Sequence, residues 1–197
     1  MDGRHLQNGR VGEPSSAVAA VVRTAVPARV SRIKRELEML RSSPPAGVAG
    51  WPARDRHGDE LLGEIEARIV SSEDSAYRGA EFSLYVTLPQ RYPFEPPSVR
   101  FETPVYHPNI DADGRICLDL LNMPPKGAWK PSLNVPTVLA SIQLLLAEPN
   151  PDDPLVQDIA AQLVADPAAF RDAAFRHARA HATFPEKPKK QKSDAGT

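Results

Sequence analysis

The stretch from Thr103 to Ser132 most limits what this chain can fold into. It is rich in proline, glycine and aspartate, a composition through which neither a helix nor a strand runs. The segments on either side are regular. Before it, Phe82, Leu84, Val86 and Leu88 alternate with Ser83, Tyr85 and Thr87, the period-two pattern of a half-buried strand. Ile65, Ala67 and Ile69 alternate within Glu64–Val70, and Val99–Phe101 reads as a further short strand. Turn-forming residues separate these runs, which predicts an antiparallel meander. Upstream, Val30, Ile33, Leu37 and Leu40 recur at helical spacing until Ser42-Ser43-Pro44-Pro45 ends the helix. Downstream, helices are expected from about Pro136 to Ala147, from Asp153-Pro154 to about Val164, and from Asp166-Pro167 to about Thr183. In the last two, aspartate then proline reads as an N-cap and a first-turn residue. Helix, strands, irregular segment, helices is the order of an α+β domain. A long loop held by such a scaffold is where chemistry tends to sit.

A chain of 197 residues accommodates one domain plus tails. Residues 30–184 carry the periodic pattern and form the expected core. Residues 1–29 mix Gly, Ser, Ala, Val and scattered Arg without clean periodicity and read as a disordered extension. Residues 185–197 form a short basic tail with Lys187, Lys189, Lys190 and Lys192, a solvated segment or a nuclear-import signal. The formal net charge of −1 argues against a general polyanion binder, so no direct nucleic-acid binding is expected. No apolar run reaches membrane-spanning length.

Within the irregular segment lies the only cysteine, Cys117. A lone cysteine flanked by Ile116 and Leu118 is ordinarily a small buried hydrophobe. This one has different company. Asn109 lies eight residues earlier inside His107-Pro108-Asn109, and an Asp113-Gly114 turn folds the chain back between them. A sulfur nucleophile needs a donor for the oxyanion it creates, and a side-chain amide serves. Arg115 offers local positive charge. His107, next to a proline in a turn, reads as a loop-holding residue and not a general base. Asp111-Ala112-Asp113-Gly114 lacks the further ligands of a calcium loop and reads as a turn, so no metal is expected.

Three ordered blocks carry a resemblance. YHPNIDADGRICLDLL (Tyr106–Leu121), Tyr92-Pro93-Phe94-Glu95-Pro96-Pro97 and Pro149-Asn150-Pro151-Asp152-Asp153-Pro154-Leu155 resemble the signatures of the ubiquitin-conjugating enzyme family, in its order and spacing. The resemblance spans about residues 30–184. It implies an N-terminal helix, a four-stranded antiparallel meander, an active-site loop and C-terminal helices. It also implies an acyltransferase that accepts ubiquitin as a thioester on Cys117 and transfers it to a substrate lysine. The implied partners are ubiquitin, the ubiquitin-activating enzyme, a RING-type ligase and the substrate protein. No cofactor is implied on this chain, because ATP is consumed by the activating enzyme.

By the same resemblance Asn109 stands near the oxyanion, Asp153 orients the incoming lysine, and His107, Pro108, Leu118 and Asp119 support the site. Arg32, Arg35, Phe94, Pro131 and Ser132 face the activating enzyme and ligases, with Arg91 at a ligase contact. The residues leave alternatives beside these roles: loop organisation for Asn109, an N-cap for Asp153, core packing for Leu118 and Phe94.

The loop Asn122–Lys130, with Pro124-Pro125-Lys126-Gly127-Ala128-Trp129, is similar to that of family members serving the Fanconi anaemia pathway. That implies DNA interstrand crosslink repair and a place in the nucleus and cytoplasm. Three departures stand out: Asn122 where those members carry a modifiable lysine, a shorter C-terminal tail, and residues 1–29 before the first helix. Rival readings are conjugation of another modifier such as SUMO, a non-catalytic binding module, and a cysteine hydrolase.

Overall fold

This computed structural model describes residues 16–185, with side chains from residue 28 onward. The basic tail beyond residue 185 and the first fifteen residues lie outside the described part. Helix α1 (Ser16–Ser42) begins earlier than the apolar periodicity predicts. Part of the span read as a disordered extension is therefore helical. Ala17, Ala19, Ala20 and Ala25 favour a helix on propensity alone, without an amphipathic stripe to reveal it.

Four strands follow: β1 (Val48–Arg54), β2 (Glu60–Val70), β3 (Glu81–Thr87) and β4 (Ser98–Phe101), paired antiparallel in chain order. The expected α+β fold with a four-stranded antiparallel meander is present. The alternation in the two central strands has a direct consequence. Ile65 pairs Val86, Ala67 pairs Leu84 and Ile69 pairs Phe82, so all six side chains enter the core together. Strand β1 has no readable alternation because Gly50 and Pro52 occupy positions opposite Ala67 and Ile65, and its register slips after them, between Pro52 and Arg54.

Ile33 and Leu40 from α1, with Val138, Leu139, Ile142 and Leu146 from helix α2 (Val135–Ala147), complete the core with the sheet. Each such side chain contributes about 1.5–3 kcal/mol when fully buried. Helices α3 (Gln157–Ala165) and α4 (Pro167–His181) pack on each other, and Thr183 exchanges backbone hydrogen bonds with Glu81. Asn134 caps α2 and Asp166 caps α4, each accepting from a backbone N–H three residues on.

One expected cap is wrong. Helix α3 starts at Gln157 and not at Asp153, and Val156 before it makes no side-chain cap. The reason lies in the segment between. The N–H groups of Leu155 and Val156 both donate to the Pro108 carbonyl, at 2.8 and 2.9 Å, which holds Asp153–Val156 against the irregular loop.

Candidate active site

After β4 the chain leaves the sheet and is fastened from below. The buried Tyr77 hydroxyl donates to the Tyr106 carbonyl at 2.8 Å. The next residue, His107, is fully buried. Its Nδ1 accepts from the Asn109 N–H at 2.9 Å, so Nε2 carries the hydrogen and donates to the Leu145 carbonyl at 2.9 Å. Burial holds the imidazole pKa down at about 4, against an ordinary 6.5. A neutral ring with both nitrogens engaged is a loop anchor.

Asn109 is also buried. Its side-chain amide donates to the carbonyls of Asn150 (2.7 Å) and Asp153 (3.0 Å), while its oxygen accepts from the Asn150 N–H (2.9 Å). Both amide hydrogens therefore point at backbone carbonyls of the Pro149–Leu155 segment. In this geometry neither faces a developing oxyanion, and of its two readings the structure displays the loop-organising one.

The turn between Asn109 and Cys117 forms as expected. Asp111 accepts from the N–H groups of Asp113 and Arg115, and Gly114 adopts φ +76°. Only glycine fits there, because a Cβ would lie 2.0 Å from the Phe101 carbonyl oxygen. The Cys117 N–H closes the loop on the Asn109 carbonyl at 2.9 Å.

The half-buried Cys117 Sγ donates to Asp153 Oδ2 at 3.3 Å. Burial raises the thiol pKa, and the carboxylates of Asp153 and Asp119 raise it further, to about 11. The expectation that Arg115 supplies positive charge to the thiol is corrected here. Its guanidinium pairs with Asp111 at 2.6 Å and Asp113 at 3.4 Å. Asp119 opens a single 3-10 turn (Asp119–Leu121), and its carbonyl accepts from the Asn122 and Ala128 N–H groups. Leu118 is half-buried against the core.

Of the residues read as partner-facing, Arg32, Arg35 and Ser132 line one depression, and the set differs in exposure. Phe94 is 65% exposed, so it is not a packing residue. Trp129 fills the space beneath, its indole N–H donating to the Pro93 carbonyl at 2.9 Å. Arg35, Pro131 and Ser132 are exposed; Arg91 is exposed too and pairs with Glu95 at 3.0 Å. Arg32 differs: it turns inward to Glu36 and to the Leu133 carbonyl. Glu36 itself was missed at the sequence level, although a charge three residues after Ile33 and four before Leu40 sits on the apolar stripe.

A family profile described as ubiquitin-conjugating enzyme matches residues 32–178. Ubiquitin-conjugating enzyme E2 T of Mus musculus is 50% identical over 169 residues, 86% of this chain and 79% of that protein. The enzyme of the same name from Danio rerio is 52% identical over 154 residues, 78% of this chain and 77% of its own length. Ubiquitin-conjugating enzyme E2 13 of Schizosaccharomyces pombe is 45% identical over 129 residues, 66% of this chain and 81% of that protein.

Proposed function

The chain belongs to the ubiquitin-conjugating enzyme family, and from that premise we propose that Cys117 carries ubiquitin as a thioester and delivers it to a substrate lysine with a RING-type ligase. The observation that carries this reading is the contact of Cys117 Sγ with the Asp153 carboxylate at the mouth of a loop pinned by Asn109 and His107.

In the first step the Cys117 sulfur, losing its proton, attacks the thioester carbonyl of ubiquitin on the activating enzyme. A new carbon–sulfur bond forms, the old one breaks, and the departing thiolate takes up a proton. In the second step a lysine amine attacks the new thioester carbonyl, a carbon–nitrogen bond forms as the carbon–sulfur bond breaks, and Cys117 leaves as a thiolate that takes up the proton the amine gives up. A thioester is already an activated acyl donor, so a strong base on the enzyme is less necessary than for amide cleavage. That suits His107, which is buried and engaged at both nitrogens. Asp153 stands where an incoming ammonium group approaches the thioester, and a carboxylate there orients the amine and favours its placement.

Within the family we assign the chain to the T type. The supports are the Met123–Trp129 loop and the printed names of the relatives from mouse and zebrafish. DNA interstrand crosslink repair follows from that assignment. Work in the nucleus and cytoplasm follows with it, and the lysines of the tail suit nuclear import.

The test is a non-reducing gel of the chain mixed with ubiquitin, activating enzyme and ATP. The expected result is a shifted band that thiol reductant removes, replaced in Cys117→Ser by a reductant-resistant band or by none. No band with ubiquitin overturns the reading. For the pathway, cells depleted of the endogenous T-type enzyme and given this chain are expected to regain resistance to a DNA crosslinker; unchanged sensitivity with full charging activity overturns the repair assignment alone.

A further inference from the structure

We propose that Glu36 is a positioning residue: one buried carboxylate sets the geometry of the surface that receives the activating enzyme and the ligase. The inference rests on the reading above that Arg35, Phe94 and Ser132 form that surface.

Glu36 is 1% exposed. A carboxylate out of water is costly unless its oxygens are fully bonded. Here they are. Oε1 accepts from Arg32 Nε, the Tyr92 hydroxyl lies 2.8 Å from both oxygens, and Oε2 accepts from the Val135 N–H at 2.7 Å. Arg32 extends the network, donating to the Leu133 carbonyl at 2.6 Å.

The partners of Glu36 come from three separate segments, and each segment carries surface residues. Helix α1 presents Arg35, one residue before Glu36 in sequence. Tyr92 lies two residues before Phe94. Leu133, whose carbonyl accepts from Arg32, directly follows Ser132, and Val135, the first residue of α2, lies three residues after Ser132. Arg32, Arg35, Glu36, Met39, Ser132 and Asn134 line one shallow depression.

An apolar side chain at position 36 would fill the same volume. It would not aim the Tyr92 hydroxyl and the Val135 N–H at a common point, because dispersion contacts lack direction. The separation of Phe94 from Ser132 and from α1 is therefore set by hydrogen bonds converging on one buried carboxylate. Glu36 lies within the scaffold that holds the docking face, apart from the loop that holds Cys117.

Two readouts separate positioning from general structural support. The first is charging by the activating enzyme as a function of conjugating-enzyme concentration, giving KM and kcat. The second is discharge of preformed thioester to free lysine without ligase, which bypasses the docking face. Glu36→Gln keeps the shape but turns an amide NH2 toward Arg32 or Val135. It is expected to raise KM by about tenfold, with kcat and free-lysine discharge within about twofold of the parent. Tyr92→Phe removes one donor and is expected to raise KM by about threefold. If Glu36→Gln fails to fold, Tyr92→Phe decides alone.

Phe94→Ala, a direct change to the surface, separates the two failures. If it raises KM while Glu36→Gln and Tyr92→Phe leave KM unmoved, the positioning role is overturned and the docking face stands. If Phe94→Ala also leaves KM unmoved, the docking face itself is wrong. Equal losses of kcat and free-lysine discharge in Glu36→Gln, with KM unchanged, overturn the proposal in favour of general structural support.

Discussion

The Cys117 thiol lies 3.3 Å from the Asp153 carboxylate, a residue 36 positions further along the chain. Burial first, and then the pairing, keep the sulfur protonated: with a pKa of about 11, on the order of one molecule in ten thousand carries thiolate at pH 7. Removing the carboxylate relieves part of this. Asp153→Asn is expected to lower the midpoint of the pH dependence of iodoacetamide alkylation. Its rate at pH 8 rises about tenfold for each unit lost. Ligase-free discharge to lysine is expected to move the other way, falling by about tenfold or more as the amine loses its orienting group. An alkylation midpoint unchanged by the substitution would show that burial alone sets the thiol.

Asn109 and Asp153 act as one unit, because the amide of the first holds the backbone of the second at 3.0 Å. Asn109→Ala should therefore slow lysine discharge mainly by displacing Asp153. In a double-mutant cycle the Asn109→Ala, Asp153→Ala pair is expected to be hardly slower than the worse single variant. Additive losses would instead assign Asn109 an independent donor role toward the oxyanion.

His107 predicts an acid limb in stability. Its folded pKa, about 4, lies below the ordinary 6.5, so the unfolded chain takes up the proton first. The stabilisation is complete above pH 6.5 and is lost as pH falls through 4, with about 2 kcal/mol gone between pH 7 and pH 5. Urea unfolding at the two pH values measures this. In His107→Phe the drop should flatten. The neutral-pH stability should also fall by about 2 kcal/mol, because the Asn109 N–H and the Leu145 carbonyl lose their partner.

Gly114→Ala tests the turn. The added Cβ would meet the Phe101 carbonyl oxygen at 2.0 Å, in a left-handed conformation that side chains resist. A loss of about 2 kcal/mol or more is expected, read as a lowered thermal midpoint. Slower charging is expected to accompany it, because the turn sets the approach of Cys117 to Asn109.

That these residues come together was legible because they are rare in their setting: a single cysteine, a His-Pro-Asn run, an aspartate pair before proline. The central strands were legible from alternation, the core-facing part of α1 from apolar periodicity, and α4 from its Asp166-Pro167 start. What was hidden depends on partners far away in sequence. The Asn109 amide is aimed by carbonyls 41 and 44 residues on. Arg32 turns inward because a carbonyl 101 residues later accepts from it. Asp153-Pro154 has the composition of a helix start, yet its segment is held by Pro108 and Asn109, and no local rule reveals that competition. Glu36 went unread because helical periodicity records where apolar side chains fall and is silent on a charge among them.

The loop after Cys117 is fastened at both ends. The Ala128 N–H holds the Asp119 carbonyl, the Trp129 N–H holds that of Asn122, and Gly127 packs so closely that a Cβ would lie 2.3 Å from the Asn122 oxygen. Beyond the tied residues Asn122 and Ala128, themselves exposed, Met123, Pro124, Pro125 and Lys126 stand out into solvent. Freedom to vary is thus confined to a four-residue tip on a rigid base. Substitutions there are expected to alter the surface a neighbouring protein meets while the sulfur keeps its place, so the loop can vary in sequence without moving Cys117.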